Sequence, residues 1–346
     1  MRRRLLLSLV VCAVAGGAAL KGLTTTAAAR IVAIGDVHGA GESFAAILKR
    51  AGLIDEQRRW TGGKTVFVQT GDTTDRGPDV RAVLDLLMSL EKQAASAGGK
   101  VHVVLGNHEV MNLVGDVRDV SPEAFAAFGG EAAYREAFSK DGRYGKWLRT
   151  KPILAEVDGN LFMHGGIDLE FSQEPLEALR KRAEREIQEW DAGVRWLEDK
   201  KLIEPTTRFA EIVGAARAEI ERLNALHAAK DKNLPADAPR IAALLLPLAN
   251  ITESSIAHPQ GPLWFRGFAT WPDAEGAPRM AALLKHHNVK RFVTGHTVQP
   301  DGRITSRFDG SLFLIDTGML GGKYWPKGRA SALELLPTAT NPIYVE

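Results

Sequence analysis

The chain has 346 residues, of which 45% are hydrophobic and 25% are charged. This mixture is typical of globular proteins and excludes wholesale disorder and a fibrous structure. The 44 basic and 42 acidic residues nearly cancel, which argues against nucleic acid as the main partner, and the single cysteine excludes a disulfide framework.

The first 29 residues have the layout of a secretory signal peptide. Three arginines at positions 2–4 precede an apolar run from Leu5 to Leu20, and small residues ending at Ala29 follow. The run is shorter than the roughly 20 residues that span a bilayer, so we expect cleavage near Ala29 rather than a retained anchor. The mature protein would then be periplasmic or secreted, with no membrane attachment, and its net charge would be −2 instead of +2.

From Arg30 onward, short β-rich runs recur, and each ends in a glycine-containing turn that carries polar side chains. Helical patterns follow the first two runs, and such strand–helix alternation favours an α/β fold. In α/β sheets, ligands bind beyond the carboxyl ends of the strands, which is where these turns lie. The turns read GDVHG at 35–39, GDTTDRG at 71–77, GNHE at 106–109, HGG at 164–166 and GHT at 295–297.

Residues 171–250 follow a different pattern. Apolar residues at helical spacing predict two helices separated by a break at Pro205, and a further apolar helix within 235–247. Two interpretations stay open, a solvated helical hairpin packed on the core or a cap that selects substrate. The predicted organisation is a signal peptide at 1–29, one domain at 30–335 with a helical insertion at about 171–250, and a C-terminal tail at 336–346.

The turns bring together three imidazoles, two carboxylates and one amide. Mixed nitrogen and oxygen ligands suit zinc, iron or manganese better than calcium or magnesium. Six ligands are many for one ion but suit two ions that share a bridging carboxylate, for which Asp72 is the natural candidate. The predicted ligands are Asp36, His38, Asp72, Asn107, His164 and His296.

A dinuclear site of this kind activates a water molecule and holds the oxygens of a phosphoryl group, which indicates phosphoester hydrolysis. Three neighbouring residues could supply the remaining chemistry of that reaction. His108 lies beside Asn107 and could face the substrate and donate a proton to the leaving oxygen. Asp75 could hold the tautomer of His108 and raise its basicity. Arg76 offers a guanidinium fork that suits phosphate.

Taken in order, the five turns resemble the motif series of the calcineurin-like metallophosphoesterases, in the branch of the phosphoprotein phosphatases. The resemblance runs from Arg30 to about Tyr324. It implies an α/β fold with a four-layer sandwich of two mixed β-sheets flanked by helices. It also implies direct attack on phosphorus by a hydroxide bound at two metal ions.

The resemblance also implies a role for each residue. Asp36, His38 and Asp72 would hold one ion, while Asp72, Asn107, His164 and His296 would hold the other. His108 would be the general acid with Asp75 behind it. Arg266, in the segment GPLWFR at 261–266, would bind the substrate together with Arg76 and Asn107.

Two further stretches of the chain indicate a particular group within this branch. The stretch DTGMLGG at 316–322 and the stretch GKWLR at 145–149 are most similar to the Shewanella-like protein phosphatases. These motifs imply a phosphoprotein substrate, phosphorylated on tyrosine or on serine and threonine. The alternative is a hydrolase of diadenosine tetraphosphate, which shares the early motifs. Asp316 would either support a metal ligand or only form a turn.

Overall fold

The computed structural model describes residues 30–345, so the predicted signal peptide at 1–29 lies outside the described residues. Within that range the chain forms two five-stranded β-sheets. The strands are β1 (Ile31–Ile34), β2 (Val66–Gln69), β3 (Lys100–Val103), β4 (Leu154–Val157), β5 (Asn160–Met163), β6 (Arg291–Thr294), β7 (Thr305–Arg307), β8 (Leu312–Leu314), β9 (Ser331–Leu335) and β10 (Thr340–Tyr344).

The first sheet has the strand order β10-β9-β1-β2-β3. Strands β1, β2 and β3 are parallel, whereas β9 pairs antiparallel with β1 and β10 pairs antiparallel with β9. Strand β10 corrects our prediction that residues 336–346 form a tail. Pro342 disfavours a strand there, but β10 is an edge strand, where a missing N–H does not interrupt the ladder.

The second sheet has the order β4-β5-β6-β8-β7. Its three central strands, β5, β6 and β8, are parallel, and antiparallel strands lie at both edges. Each sheet therefore has a group of parallel strands whose carboxyl ends point the same way, and the predicted polar turns follow these ends.

Helices flank the two sheets. They are α1 (Gly41–Arg50), α2 (Val80–Ser96), α3 (Asn107–Leu113), α4 (Pro122–Phe128), α5 (Glu131–Phe138), α6 (Arg143–Leu148), α7 (Leu176–Asp199), α8 (Phe209–Ala228), α9 (Ala238–Ala249), α10 (Gly267–Thr270) and α11 (Asp273–His287). Helices α1 and α2 pack on the outer face of the first sheet. None of the described helices is both long enough and apolar enough to cross a membrane.

Side-chain alternation along β1 shows how the layers form. Ile31 and Ala33 point between the two sheets and pack with Phe162 and Val293 of the second sheet. Residues 32 and 34 point outward and pack against α1 and α2. Each fully buried aliphatic or aromatic side chain contributes about 1.5–3 kcal/mol, so both faces of the strand stabilise the stack. The four-layer α/β sandwich predicted from the resemblance is confirmed.

The insertion consists of α7, α8 and α9, which pack together on the second sheet's side of the molecule. Trp190 of α7 stacks on Phe209 at the start of α8, with ring centroids 5.5 Å apart. The guanidinium of Arg149 forms a largely buried ion pair with Asp191 of α7, at 2.7 Å, and also donates to the carbonyl of Leu113. This contact joins the insertion to the body that carries the polar turns.

Candidate metal centre and active site

The structure brings the six predicted ligands together at one end of the two sheets. The turns from both sheets meet there, since the backbone N–H of His296 donates to Asp36 Oδ1 at 3.0 Å. All six side chains are buried: Asp36, His38, Asp72, Asn107, His164 and His296.

The backbone at these turns is unusual. His38, Asp72 and His296 have φ values of 47°, 56° and 68°, and Asp75 and Arg76 have 67° and 62°. The left-handed region is uncommon for residues other than glycine, and it persists only where the surroundings impose it. Five residues of these turns adopt this left-handed conformation, which indicates that the fold keeps their side chains in place at the expense of backbone stability.

The glycines at the start of the turns allow close approach. A β-carbon on Gly106 would lie 2.2 Å from Asp72 Oδ1, and one on Gly71 would lie 2.5 Å from the backbone nitrogen of Gly106. Any larger residue at either position would push these two turns apart. The Gly-Asp and Gly-Asn pairs of the sequence thus let a carboxylate from one strand reach the turn of the next.

Glu109 organises the turn that carries Asp72, a role that we did not predict. Its carboxylate is fully buried and accepts hydrogen bonds from the backbone N–H groups of Asp72, Thr73, Thr74 and Gly106, at 2.7–3.1 Å. It also accepts from both threonine hydroxyls. The signal in the sequence was a glutamate three residues after the start of a helix, where a carboxylate reaches back to free N–H groups.

In each of the three predicted histidine ligands, one ring nitrogen forms a hydrogen bond with a backbone carbonyl. Nδ1 of His38 and of His164 lie 2.9 Å from the carbonyls of Thr74 and Thr70, and Nε2 of His296 lies 3.1 Å from that of Trp264. A carbonyl only accepts, so the facing nitrogen carries the proton. The other nitrogen of each ring therefore presents its lone pair to the site, as metal-ligating histidines do.

Lone pairs crowd around Nε2 of His164. Asn107 Oδ1 lies 2.9 Å from it, Nδ1 of His296 lies 3.1 Å away, and Asp72 Oδ2 lies 3.3 Å away. Four acceptor atoms at these separations repel one another unless a cation lies among them. This donor set fits a metal ion.

A second group of candidate ligands lies on the other side of Asp72. His38 Nε2 lies 3.5 Å from Asp72 Oδ2 and 3.9 Å from Asp36 Oδ2. Burial, together with the negative charges of Asp316 and Asp72, holds the pKa of Asp36 well above its usual range. Like charges buried side by side again fit a cation, so the residues fit metal ions on both sides of Asp72.

Asp316 forms a turn, one of the two roles that we left open, and its carboxylate lies close enough to Asp36 to raise the pKa of that predicted ligand. Its Oδ1 accepts a hydrogen bond from the N–H of Gly318 at 2.9 Å, as a turn-forming aspartate does. Its Oδ2 is buried and accepts no hydrogen bond from any described residue. Burial raises the pKa of Asp316 to about 6, although the Gly318 bond opposes this.

His108 and Asp75 form the predicted pair. Asp75 Oδ2 lies 2.7 Å from Nδ1 of His108, and Asn112 donates to the other carboxylate oxygen at 2.7 Å. Burial disfavours the charged imidazole, but the carboxylates of Asp72 and Asp75 outweigh it and raise the pKa of His108 to about 9. A protonated His108 is suited to donate a proton and unsuited to ligate a metal.

The two predicted phosphate-binding arginines lie on different sides of the centre. Arg76 Nη2 lies 3.0 Å from Nε2 of His108, and Arg76 Nη1 contacts His38. Arg266 Nη1 donates to the carbonyl of His296 at 3.0 Å and to the hydroxyl of Thr297 at 3.2 Å. Both guanidinium groups therefore reach the rim of the same centre.

A cavity of about 700 Å³ opens beside the centre. Asn107 and Arg266 line the part nearest the predicted ligands, and aromatic and aliphatic side chains line much of the remainder. Phe209 of the insertion and Ile256, shortly after it, contribute to this wall. The insertion is therefore more than a solvated hairpin, because it forms part of a cavity that reaches the candidate active site.

Several known proteins are similar to this chain. An uncharacterised protein of Schizosaccharomyces pombe is 30% identical over 305 residues, covering 84% of this chain and 73% of the relative. Shewanella-like protein phosphatase 1 of Plasmodium berghei is 26% identical, covering 84% and 67% respectively. The structure of a cold-active protein-tyrosine phosphatase from a psychrophilic Shewanella species has a TM-score of 0.60 at 26% identity, covering 92% of this chain and 80% of that chain.

These matches confirm the predicted similarity to the Shewanella-like protein phosphatases. A model of the calcineurin-like phosphoesterases matches residues 29–300, which is most of the chain. With this match, and with the candidate metal ligands at the ends of two stacked sheets, the chain belongs to the calcineurin-like phosphoesterases and is a hydrolase of phosphoester bonds.

Proposed function

We propose that this protein is a phosphoprotein phosphatase with a dinuclear metal centre. The observation that carries the proposal is the arrangement of candidate ligands on both sides of Asp72, His38 and Asp36 on one side and Asn107, His164 and His296 on the other, with His108 and Arg76 next to them. Two metal ions bound by these residues would supply an acidified water and would neutralise charge on phosphoryl oxygens. Zinc, iron and manganese all suit the ligand types.

The residues of the chain have separate roles in this reaction. His108 gives a proton to the oxygen of the departing alcohol or phenol, and Asp75 fixes the orientation of its ring through the 2.7 Å contact. Arg76 and Arg266 bind the equatorial oxygens of the phosphoryl group, whose charge spreads over three oxygens as the bond breaks. Asn107 serves as a metal ligand at the place where the substrate enters.

We further propose a preference for phosphotyrosine. The Shewanella structure is that of a protein-tyrosine phosphatase, and the cavity beside Asn107 and Arg266 has an aromatic and aliphatic wall that suits a phenyl ring. A phosphoserine side chain is too short to make equivalent contacts in this cavity. The alternative function is hydrolysis of diadenosine tetraphosphate, and the test must distinguish it from hydrolysis of phosphoproteins.

A panel of substrates on protein reconstituted with manganese, zinc or iron tests the proposal. Matched peptides that carry phosphotyrosine, phosphoserine or phosphothreonine would be compared with diadenosine tetraphosphate by kcat/KM. We expect phosphotyrosine peptide to be hydrolysed fastest and the nucleotide slowest. Faster hydrolysis of the nucleotide would overturn the phosphoprotein assignment, and equal rates on all peptides would overturn only the tyrosine preference.

We also propose that the protein is exported and that its mature form begins near Arg30. The arginine-led apolar segment at 1–29 supports this. Expression of the full chain in a Gram-negative host, followed by fractionation and N-terminal sequencing, tests the proposal. A periplasmic product beginning near residue 30 is expected, and an unprocessed cytoplasmic product would contradict it.

A further inference from the structure

The segment between β8 and β9 brings an aromatic side chain to the candidate active site. The half-buried indole of Trp325 stacks on the ring of His38, with centroids 5.6 Å apart and planes inclined by 27°. The guanidinium carbon of Arg76 lies 5.2 Å from the centroid of the same indole. Trp325 therefore contacts both a predicted metal ligand and a proposed phosphate-binding residue.

The backbone of this segment is tightly folded. Gly318 has a φ of 68°, and a β-carbon there would lie 2.8 Å from Cβ of Trp325. The N–H of Trp325 donates to the carbonyl of Gly321, and its carbonyl accepts from Gly328. The hydroxyl of Tyr324 lies 3.4 Å from the carbonyl of Arg76. The indole is thus held in place from its own segment and from the turn that it covers.

The other contacts of Arg76 show why the indole of Trp325 matters for the position of its guanidinium. No described carboxylate forms an ion pair with Arg76, and its polar side-chain contacts are with the imidazoles of His38 and His108. A guanidinium stacked on an indole is attracted to the ring face, and its N–H groups lie at the edge of the guanidinium plane, where they can contact polar partners or an anion. Stacking fixes the guanidinium without neutralising its charge.

We propose that Trp325 is a positioning residue that holds the guanidinium of Arg76 in the orientation that binds the substrate phosphoryl group. This inference rests on the proposed function, because it takes Arg76 as a phosphate-binding residue. The simple alternative is that Trp325 only fills space beside the loop. The two readings differ in what happens to phosphate binding when the aromatic ring is replaced by an aliphatic side chain.

The test measures the dissociation constant of inorganic phosphate for the metal-loaded full-length protein by calorimetry, with bound metal and thermal unfolding recorded in parallel. Trp325→Leu removes the aromatic face, Trp325→Phe keeps one, and Trp60→Leu is the control. Trp60 is half-buried as well, but it lies in the turn before β2 and donates to Gly63. We expect Trp325→Leu to weaken phosphate binding about five-fold or more, with bound metal unchanged and the other two variants within about two-fold of the parent.

A double-mutant cycle shows whether Trp325 acts through Arg76. In an Arg76→Ala background, Trp325→Leu should change phosphate binding by less than about two-fold, because the group that it positions is gone. The same loss in both backgrounds, or no loss with Trp325→Leu in a folded protein, would overturn the inference. Loss of metal with Trp325→Leu would also overturn it by showing support of His38 instead.

Failure of the inference is distinguishable from failure of the proposed function. If Arg76→Ala weakens phosphate binding and Trp325→Leu does not, Trp325 is not a positioning residue and the phosphatase assignment stands. If Arg76→Ala leaves phosphate binding unchanged, Arg76 is not a phosphate ligand, and both the inference and that part of the proposed function fail.

Discussion

The turns at the strand ends and the helical insertion are built on different physical principles. In the turns, charged side chains are buried, and His38, Asp72 and His296 have left-handed backbone conformations. Two of the turns approach each other closely at Gly71 and Gly106. The insertion has ordinary amphipathic helices, with an apolar stripe inside and exposed ion pairs such as Arg180 with Glu177 outside.

The difference shows where the molecule gives up stability and where it gains it. Strained backbone and buried like charges cost free energy, and they persist because packed layers on both sides over-determine the turns. The insertion contributes apolar burial and one wall of the cavity, and its surface residues are free to change. Substitutions in the turns should therefore act on metal binding and chemistry, whereas substitutions in the insertion should act on stability and substrate affinity.

The largest effect is expected from Asp72→Asn. The change removes the carboxylate shared by both groups of candidate ligands, so bound metal should fall on both sides and turnover should drop at least about a thousand-fold. Metal content by mass spectrometry and kcat on an aryl phosphate provide the measurement. Asp55→Asn is the control, because Asp55 is a half-buried turn aspartate that accepts hydrogen bonds from backbone N–H groups and is not a candidate ligand. Full activity of Asp72→Asn would end the dinuclear proposal.

His108→Asn should produce the next largest loss, about a hundred- to ten-thousand-fold for alkyl phosphates. Aryl phosphates have better leaving groups and need less help from an acid, so their loss should be smaller. The comparison uses kcat for a phosphoserine peptide and for a nitrophenyl phosphate on protein with unchanged metal content. An equal loss on both substrates would count against His108 as the proton donor.

The contrast between the regions also explains how much could be predicted from the sequence. The site residues Asp36, Asp72 and His164 could be selected because each follows an apolar run at a glycine, where strand ends meet. Glu109 and Trp325 were missed because their partners are turns far away in sequence. The position of Glu109 near a helix start indicates a cap on its own helix but not its bonds to the Asp72 turn, and a tryptophan in a glycine-rich loop gives no local signal of a distant partner.

The fold was predictable to a similar extent and for similar reasons. Parallel strands buried on both faces, such as β1, give long apolar runs that stand out. Strand β10 does not, because its residues are half-exposed and include Pro342. The sequence pattern of the insertion also did not show that it would reach the site. Phe209 looks like any other apolar residue on the buried face of an amphipathic helix.

Arg149→Ala tests whether the insertion can be weakened without disturbing the centre. The ion pair with Asp191 is largely buried, so leaving that carboxylate unpaired should lower the free energy of unfolding by about 3–5 kcal/mol. Bound metal should stay the same, as measured on the native protein. Arg180→Ala is the matched control, because Arg180 lies on α7 with Asp191 and forms exposed ion pairs there. These pairs should contribute about 1 kcal/mol or less to the free energy of unfolding. Loss of metal with Arg149→Ala would show that the regions are coupled.

Phe209→Ala should give the smallest effect and the sharpest separation of the two regions. Phe209 lines the cavity and is half-buried, so its removal should take away contacts with the substrate without touching the candidate ligands. We expect KM for a phosphotyrosine peptide to rise about two- to ten-fold, with kcat and the inhibition constant of inorganic phosphate unchanged. Leu202→Ala is the control, since Leu202 is exposed, belongs to the insertion and does not line the cavity. A fall in kcat, or weaker inhibition by phosphate, would mean that the insertion acts on the chemistry and not only on the affinity for the peptide.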